Sequence, residues 1–472
     1  MHSKYFSYEE QLLFSKLSCD YNPIHIDKIK ARRTLFGEII LHGIHLVLWV
    51  LDDYLSDRNK KLTIDYMKCT FFSPVKMDKE VTYTTNCLEQ GNIIFDVFIE
   101  KQQKAMSLEI KFRHFKTLEN YKINNLSLAR KKRPKELNID SCKNEKRFFH
   151  IGINTQIASG LFENLMRSIP QFQIAIILGL SRLVGMECPG LNSIFSSFEL
   201  YRKDKAPDPI LDTKLKYKVA QILSPFNLVK ILIDSYDMTG TVFAFIRPST
   251  ALQPSFKKVM QSIPRDIYKN QKALVVGGSR GLGEIITKIL CAGGAHVKFT
   301  YNVGLSEAKS LVKQIKPYHP QIDFFQLDIT NKVPIDFLDD WIPTHLYYLA
   351  TPKIENGVKE KFSFDLFQKY FDYYIAGFLH VLNEISKKSQ GKIKVFCPST
   401  TFLDKKNSIF AEYTSSKSFC EHICKTLNDN DYADIFTPRI SKLSTDQNTS
   451  LLKKGETSIS YIANFINQFN LL

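Results

Sequence analysis

Leu17-Ser-Cys-Asp-Tyr-Asn-Pro-Ile-His25-Ile-Asp27, followed by Phe36-Gly37 and then His42-Gly43, decides how the first part of this 472-residue chain is read. Two proton-transfer groups, Asp20 and His25, stand five residues apart. Between them Pro23 biases Asn22 away from helical backbone, so the spacing predicts a tight loop from which both side chains converge on one water. Residues 39–55 read as an apolar helix whose first turn begins near Gly43. A helix start offers unpaired N–H groups and positive potential to a developing oxyanion. An acid-base pair, a water site and an oxyanion site so close together suggest addition or removal of water next to a carbonyl.

These three motifs together resemble the R-specific enoyl-thioester hydratases of hotdog fold, also called MaoC-like dehydratases. The resemblance implies that Asp20 and His25 activate or release the water, that Asn22 holds the loop, and that the Gly43 N–H polarises the thioester carbonyl. Cys19 departs from the family's usual glycine. The alternative is a capped loop in which Asp20 and His25 only satisfy backbone groups.

Far downstream, Lys272-Ala-Leu-Val-Val276 reads as a strand, Gly277-Gly278-Ser279-Arg280-Gly281-Leu282-Gly283 as a turn, and the residues to 290 as a helix. In that order a glycine motif rises above chance: its glycines admit a pyrophosphate to the backbone at a helix N-terminus. Tyr413-Thr-Ser-Ser-Lys417 lies on a predicted helix with phenol and ammonium one turn apart, and the lysine charge favours phenolate. The two motifs resemble the short-chain dehydrogenase/reductase family. That resemblance implies hydride transfer from a nicotinamide to a carbonyl, with Tyr413 as acid and Lys417 binding the ribose and tuning the tyrosine. The cofactor would lie along Gly277, Ser279, Arg280, Gly281, Leu282, Gly283 and Ala350.

The family's catalytic serine, usually thirteen residues before the tyrosine, has two candidates, Thr400 at thirteen and Ser399 at fourteen. The family's asparagine corresponds to Tyr374, its asparagine-rich strand end to Tyr348-Leu-Ala-Thr351-Pro352, and its Pro-Gly to Pro438-Arg439. Thr300, Tyr301 and Asn302 carry no acid to hold a ribose diol, and Arg280 can meet a 2′-phosphate, so NADP is favoured, with NAD as the alternative. Asp328 is expected to reach the adenine or to cap its own strand end. No metal is assigned.

Length suggests about three domains, and 44% hydrophobic with 24% charged residues is ordinary soluble composition. Nine cysteines without a Cys-x-x-Cys motif fit a reduced, cytoplasmic protein. Apolar runs such as 39–51 and 172–184 are short of a bilayer span, and the first residues lack a signal-peptide core. The net charge of +16 suits an acidic acyl carrier protein or the phosphates of coenzyme A; no nucleic-acid motif accompanies it. Arg130-Lys-Lys-Arg133-Pro-Lys135 falls in a polar linker.

The organisation expected is residues 1–118 as a catalytic hotdog, α+β in class, 119–144 as linker, 145–250 as a second, non-catalytic hotdog that widens the acyl tunnel, and 264–472 as an α/β Rossmann domain with a doubly wound parallel sheet. In the second unit, 185–190 reads as a turn and Glu187 and Asn192 as structural. The shortened C-terminal part leaves an acyl site open or completed by another domain or subunit, as in a homo-oligomer. The whole reads as a bifunctional enzyme interconverting 3-oxoacyl, 3-hydroxyacyl and 2-enoyl thioesters. Its rivals are a reductase with an acyl-binding module and a non-catalytic carrier-docking scaffold.

Overall fold

Apolar residues on every face of a helix require burial on every face. The helix Gly43–Tyr54 is buried at every residue from 44 to 51, and a second helix, Gln171–Arg182, at every residue from 173 to 181. The computed structural model describes residues 2–57, 60–88, 91–114, 133–203, 213–249, 253–355, 357, 361–404, 408–441 and 459–471. Most of the predicted linker, residues 119–132, lies outside them, as do residues 405–407 and 442–458.

Both helices pack with one antiparallel sheet. Its strands are β1 (His2–Lys4), β2 (Leu62–Phe71), β3 (Val81–Cys87), β4 (Asn92–Ile99), β5 (Gln103–His114), β6 (Lys146–His150), β7 (Ser193–Arg202), β8 (Lys214–Leu223), β9 (Leu228–Asp234) and β10 (Met238–Ile246). The order is β1-β3-β4-β5-β2-β7-β10-β9-β8-β6. An apolar helix enclosed by an antiparallel sheet is the hotdog arrangement expected of the N-terminal part.

The sequence reading separated residues 1–118 from 145–250, and pairing of β2 with β7, from Tyr66↔Tyr201 to Thr70↔Ser197, makes one sheet of the two. Their hydrophobic core is also common, and Met1–Ser249 is one compact unit. A polar residue in the second helix contributes to the joint. Gln173, fully buried, accepts from Ile64 N–H at 2.8 Å and donates to Ile64 O at 3.1 Å and to Asp237 Oδ2 at 2.7 Å. It sits where the β2–β5 register shifts between Ile64 and Tyr66, satisfying backbone groups that the irregularity would otherwise leave unpaired.

Thr250–Leu472 forms the other compact unit. It contains β11 (Lys272–Val276), β12 (His296–Tyr301), β13 (Ile322–Gln326), β14 (His345–Tyr348), β15 (Lys394–Phe396), β16 (Ser399–Thr400), β17 (Asp434–Phe436) and β18 (Arg439–Ile440). The main sheet runs β13-β12-β11-β14-β15-β17, every neighbouring pair parallel. One core packs the helices Gly281–Ala292, Leu305–Ile315 and Ile459–Asn470; another packs Phe364–Phe371, Gly377–Ser386 and Ala411–Asp429. This is the doubly wound fold, with strand order reversing between β11 and β14, where such sheets open a ligand crevice.

Candidate functional site

Asn22 starts the first site. Its backbone is extended (φ −59°, ψ 127°), as a residue before proline prefers, and its side chain caps the single helical turn Pro23–Ile26. His25 therefore leaves that helical turn and not the loop expected from sequence, because Pro23 at the first helical position starts a helix as readily as it ends one. The Asn22 amide donates to the carbonyls of Gly185, Gly190 and Leu191 at 3.1–3.3 Å. The motif loop is thus tied to the second half of its own unit.

Asp20, His25 and His42 converge: a carboxylate oxygen and two ring nitrogens lie within 4.8 Å of one another. Asp20 is 2% exposed and accepts from Ser181 Oγ at 2.8 Å and from Asn22 N–H at 3.1 Å. Burial pushes its carboxyl up to about 7 against the lowering effect of those two bonds. Desolvation pushes His25 down to about 4, and the Arg247 charge acts in the same direction. The His25 Nδ1–H donates to Ile40 O at 2.8 Å, which leaves Nε2 as the lone-pair nitrogen. His42 stacks on His25 with ring centroids 3.8 Å apart and donates from Nε2 to Asp20 O at 3.2 Å.

Gly43 opens the buried helix without a side-chain cap. A Cβ here would stand 2.7 Å from the Phe71 ring, so glycine lets that ring close over the helix start. These groups border a cavity of about 130 Å³ whose other walls are mainly apolar, among them Leu46, Phe71, Val184 and Phe195. A neutral base, a carboxyl that carries a proton near pH 7 and a helix N-terminus can together move water on and off a carbon beside a carbonyl.

Ser181 and Gly185 were invisible as site residues in the sequence. The second helix does not end in the expected turn; it continues as a π-helical turn, Leu183–Glu187. That wide turn brings Gly185 against Asp20, where a Cβ would come within 2.2 Å of Oδ1. Only the fold pairs these residues with Asp20, although an apolar helix running into Gly185 gave a weak signal of close approach. Glu187 instead pairs with Lys135 at 2.9 Å and Arg182 at 3.3 Å, and Asn192 donates to Glu136. Both lie outside the cavity wall.

The second site lies at the strand-order reversal. Gly277 has φ +80°, open to glycine at no steric cost, and a Cβ on it would meet Ala350 N at 2.9 Å; on Gly283 it would meet Gly277 O at 2.0 Å. Ser279 is buried, Arg280 is the N-cap residue of the helix Gly281–Ala292, and Leu282 packs at the edge of its core. The Asp328 carboxylate accepts from Thr330 N–H at 3.0 Å and Thr330 Oγ1 at 2.7 Å, so it caps its own turn.

Tyr413 and Lys417 share the helix Ala411–Asp429. Lys417 Nζ donates to Pro398 O at 3.0 Å and lies 4.0 Å from the Tyr374 ring centroid. Tyr374, on the π-helical turn Asp372–Ala376, shares a hydrogen bond with Thr351 Oγ1 at 2.6 Å, and its ring meets that of Tyr413 edge-on at 5.9 Å. Ser399 Oγ is buried beside the Glu421 carboxylate, and Thr400 Oγ1 accepts from Phe402 N–H at 3.2 Å. Arg439 holds Glu421 through two nitrogens, at 2.7 and 2.9 Å, and Asp404 through a third.

A family model described as MaoC like domain matches residues 4–107, and one described as short chain dehydrogenase matches residues 271–434. Over 210 residues the chain is 23% identical to salutaridine reductase of Papaver somniferum, an alignment covering 43% of this chain and 63% of that relative. The chain thus spans less than two thirds of that relative's length. Among solved structures, a short chain dehydrogenase from Burkholderia cenocepacia J2315 in complex with NADP is 18% identical, with 42% of this chain and 89% of that chain covered and a TM-score of 0.36. FolM Alternative dihydrofolate reductase 1 from Brucella suis in complex with NADP is 20% identical, with 38% and 74% covered and a TM-score of 0.34. Among the described residues no helix is long and apolar enough to cross a membrane. With Asp20 and His25 meeting at a helix start in one unit, and a glycine turn and a Tyr413–Lys417 helix in the other, the chain is a fusion of a MaoC-like dehydratase domain with a short-chain dehydrogenase domain.

Proposed function

We propose that the N-terminal unit interconverts R-3-hydroxyacyl and trans-2-enoyl thioesters and that the C-terminal unit reduces 3-oxoacyl thioesters with NADPH. The observation that carries the first activity is the meeting of Asp20 and His25 at an apolar cavity beside the Gly43 helix start. In hydration, His25 Nε2 takes a proton from water as its oxygen bonds to C3, the protonated Asp20 carboxyl gives a proton to C2, and the Gly43 N–H holds the carbonyl oxygen. Dehydration runs the same transfers backwards. Residues 145–250, on this reading, are a second hotdog that supplies Ser181 and Gly185 to the site without a catalytic pair of its own.

For the second activity, the glycine turn fits a dinucleotide: Gly277 takes φ +80° and a Cβ at Gly277 or Gly283 would strike neighbouring backbone, so glycine alone lets the turn lie this close against the helix start. Ser279, Gly281, Leu282 and Ala350 would border the cofactor and Arg280 would hold a 2′-phosphate. NADPH, when bound, supplies the hydride. Tyr413 then donates its proton to the substrate oxygen, Lys417 orients the tyrosine and a ribose, and Ser399 or Thr400 aligns the oxygen. The product of this reduction is the substrate of the dehydration, and the acyl group arrives on coenzyme A or a carrier protein, whose negative charge suits a chain of net charge +16.

A second reading, a C-terminal unit that binds the cofactor without turnover, is favoured by Tyr374 in place of the asparagine. The purified chain is tested with acetoacetyl-coenzyme A and NADPH at 340 nm, and with crotonyl-coenzyme A at 263 nm for loss of the enoyl chromophore. Turnover in both assays supports the bifunctional reading, and NADPH binding without oxidation on any 3-oxoacyl length supports the second.

A further inference from the structure

We infer that the N-terminal site is built for short acyl chains, of about four to six carbons, and that Phe71 and Phe195 form the stop. This rests on the hydratase reading above and adds its substrate class. A second hotdog half was expected to widen the acyl tunnel, yet the cavity at Asp20 and His25 holds only about 130 Å³. An apolar protein cavity of roughly 150 Å³ accommodates benzene, six carbons. The reacting carbons and the water occupy part of that space, so only a few methylenes remain.

The walls show why. Phe72 is 55% exposed and marks the open end. Next to it, at the end of β2, Phe71 also lines the cavity and closes its ring over Gly43, the residue that would hold the thioester carbonyl. Phe195 of β7 packs against Phe71 with ring centroids 5.3 Å apart, and Phe198, 1% exposed, lies 5.9 Å from Phe195 and 6.5 Å from Phe71. Leu46, one turn along the buried helix, completes the wall. The stop thus stands at the β2–β7 joint, and the second half narrows the site by contributing Phe195. A longer chain would have to displace Phe71 and Phe195, partly buried rings packed on the core and on fully buried Phe198, which is costly.

The test compares hydration of crotonyl-coenzyme A and trans-2-dodecenoyl-coenzyme A by the full chain and by Phe71→Ala and Phe195→Ala. We expect kcat/KM to favour the four-carbon substrate at least about 100-fold in the parent, and the long-to-short ratio to rise at least about tenfold in either variant. The ratio is taken within each protein, so partial loss of folded material cancels. Equal rates on both substrates in the parent, or an unchanged ratio in both variants, overturn the chain-length assignment while leaving the hydratase reading standing. Hydration of neither substrate by the parent overturns the hydratase reading, and this inference with it.

Discussion

Ser181, on the buried helix of the second half of its unit, donates to Asp20 Oδ2 at 2.8 Å across 161 residues of sequence. The bond lowers the carboxyl's pKa against a burial effect that raises it to about 7. Ser181→Ala removes the lowering contribution, so the Asp20 transition should move above 7 in the pH profile of kcat/KM for enoyl hydration. Because hydration uses the protonated Asp20 carboxyl, the variant should keep its rate at pH 7 and hold it to higher pH than the parent. A profile that keeps its midpoint would detach Ser181 from the chemistry.

Gly185 gives a sharper steric test. A Cβ there would stand 2.2 Å from Asp20 Oδ1, so the carboxyl would have to leave its place and its bond to Ser181. Gly185→Ala should therefore lower hydration by at least about two decades, comparable to removing a general acid-base group. It should also lower the melting temperature of the N-terminal unit. NADPH oxidation, carried by separately folded residues, should be unchanged. Retained hydration would mean that Asp20 can leave the position described.

What the sequence made legible and what it hid divide along physical lines. The extended backbone of Asn22 before proline and the helix start at Gly43 were readable from local backbone chemistry, whereas the one-turn helix that carries His25 was read as a loop. Gly277, Gly281 and Gly283 were readable for the same reason, since only their conformational and steric freedom permits the turn. Ser181 was unreadable because its partner lies 161 residues away and a serine in an apolar helix carries no local signal. The joint of β2 to β7 was hidden likewise, because strand pairing between distant segments leaves only alternation in each strand. Residues 185–190 misled because glycine and proline mark turns in general, whereas here the helix first widens by a π-helical turn.

The raised carboxyl makes a stability prediction with a definite sign. Asp20 binds its proton more tightly folded than unfolded between pH 4 and about 7, so the folded state loses stability as pH rises through that window. Asp20→Asn removes the cost of burying the charge. The variant should be more stable than the parent at pH 8, by a few kcal/mol at about 1.4 kcal/mol per pKa unit, and should lose this advantage near pH 4. Urea unfolding of both proteins at the two pH values measures it. A parent more stable at pH 8 than the variant would refute the burial account, while hydration by the variant should fall by about two decades or more.

The last prediction concerns Tyr413 and its altered neighbour. Tyr413→Phe keeps the ring contacts with Tyr370 and Tyr374 at 5.7 and 5.9 Å and removes only the hydroxyl. NADPH-dependent reduction should therefore be lost, with cofactor affinity and enoyl hydration retained. Tyr374 tests whether the departure from the family pattern is tolerated or disabling. Its ring lies under the Lys417 ammonium, at a distance where a cation–π contact contributes about 0.5–2 kcal/mol, and its hydroxyl meets Thr351. If that ring now fixes Lys417, Tyr374→Phe should keep at least about half of the reduction rate and Tyr374→Ala should lose at least about tenfold. Tyr374→Asn separates the readings: a rise in rate would mark the tyrosine as an impediment to turnover, and a loss would show that this site has been rebuilt around it. Stopped-flow NADPH oxidation on a 3-oxoacyl thioester reads all four proteins against the parent.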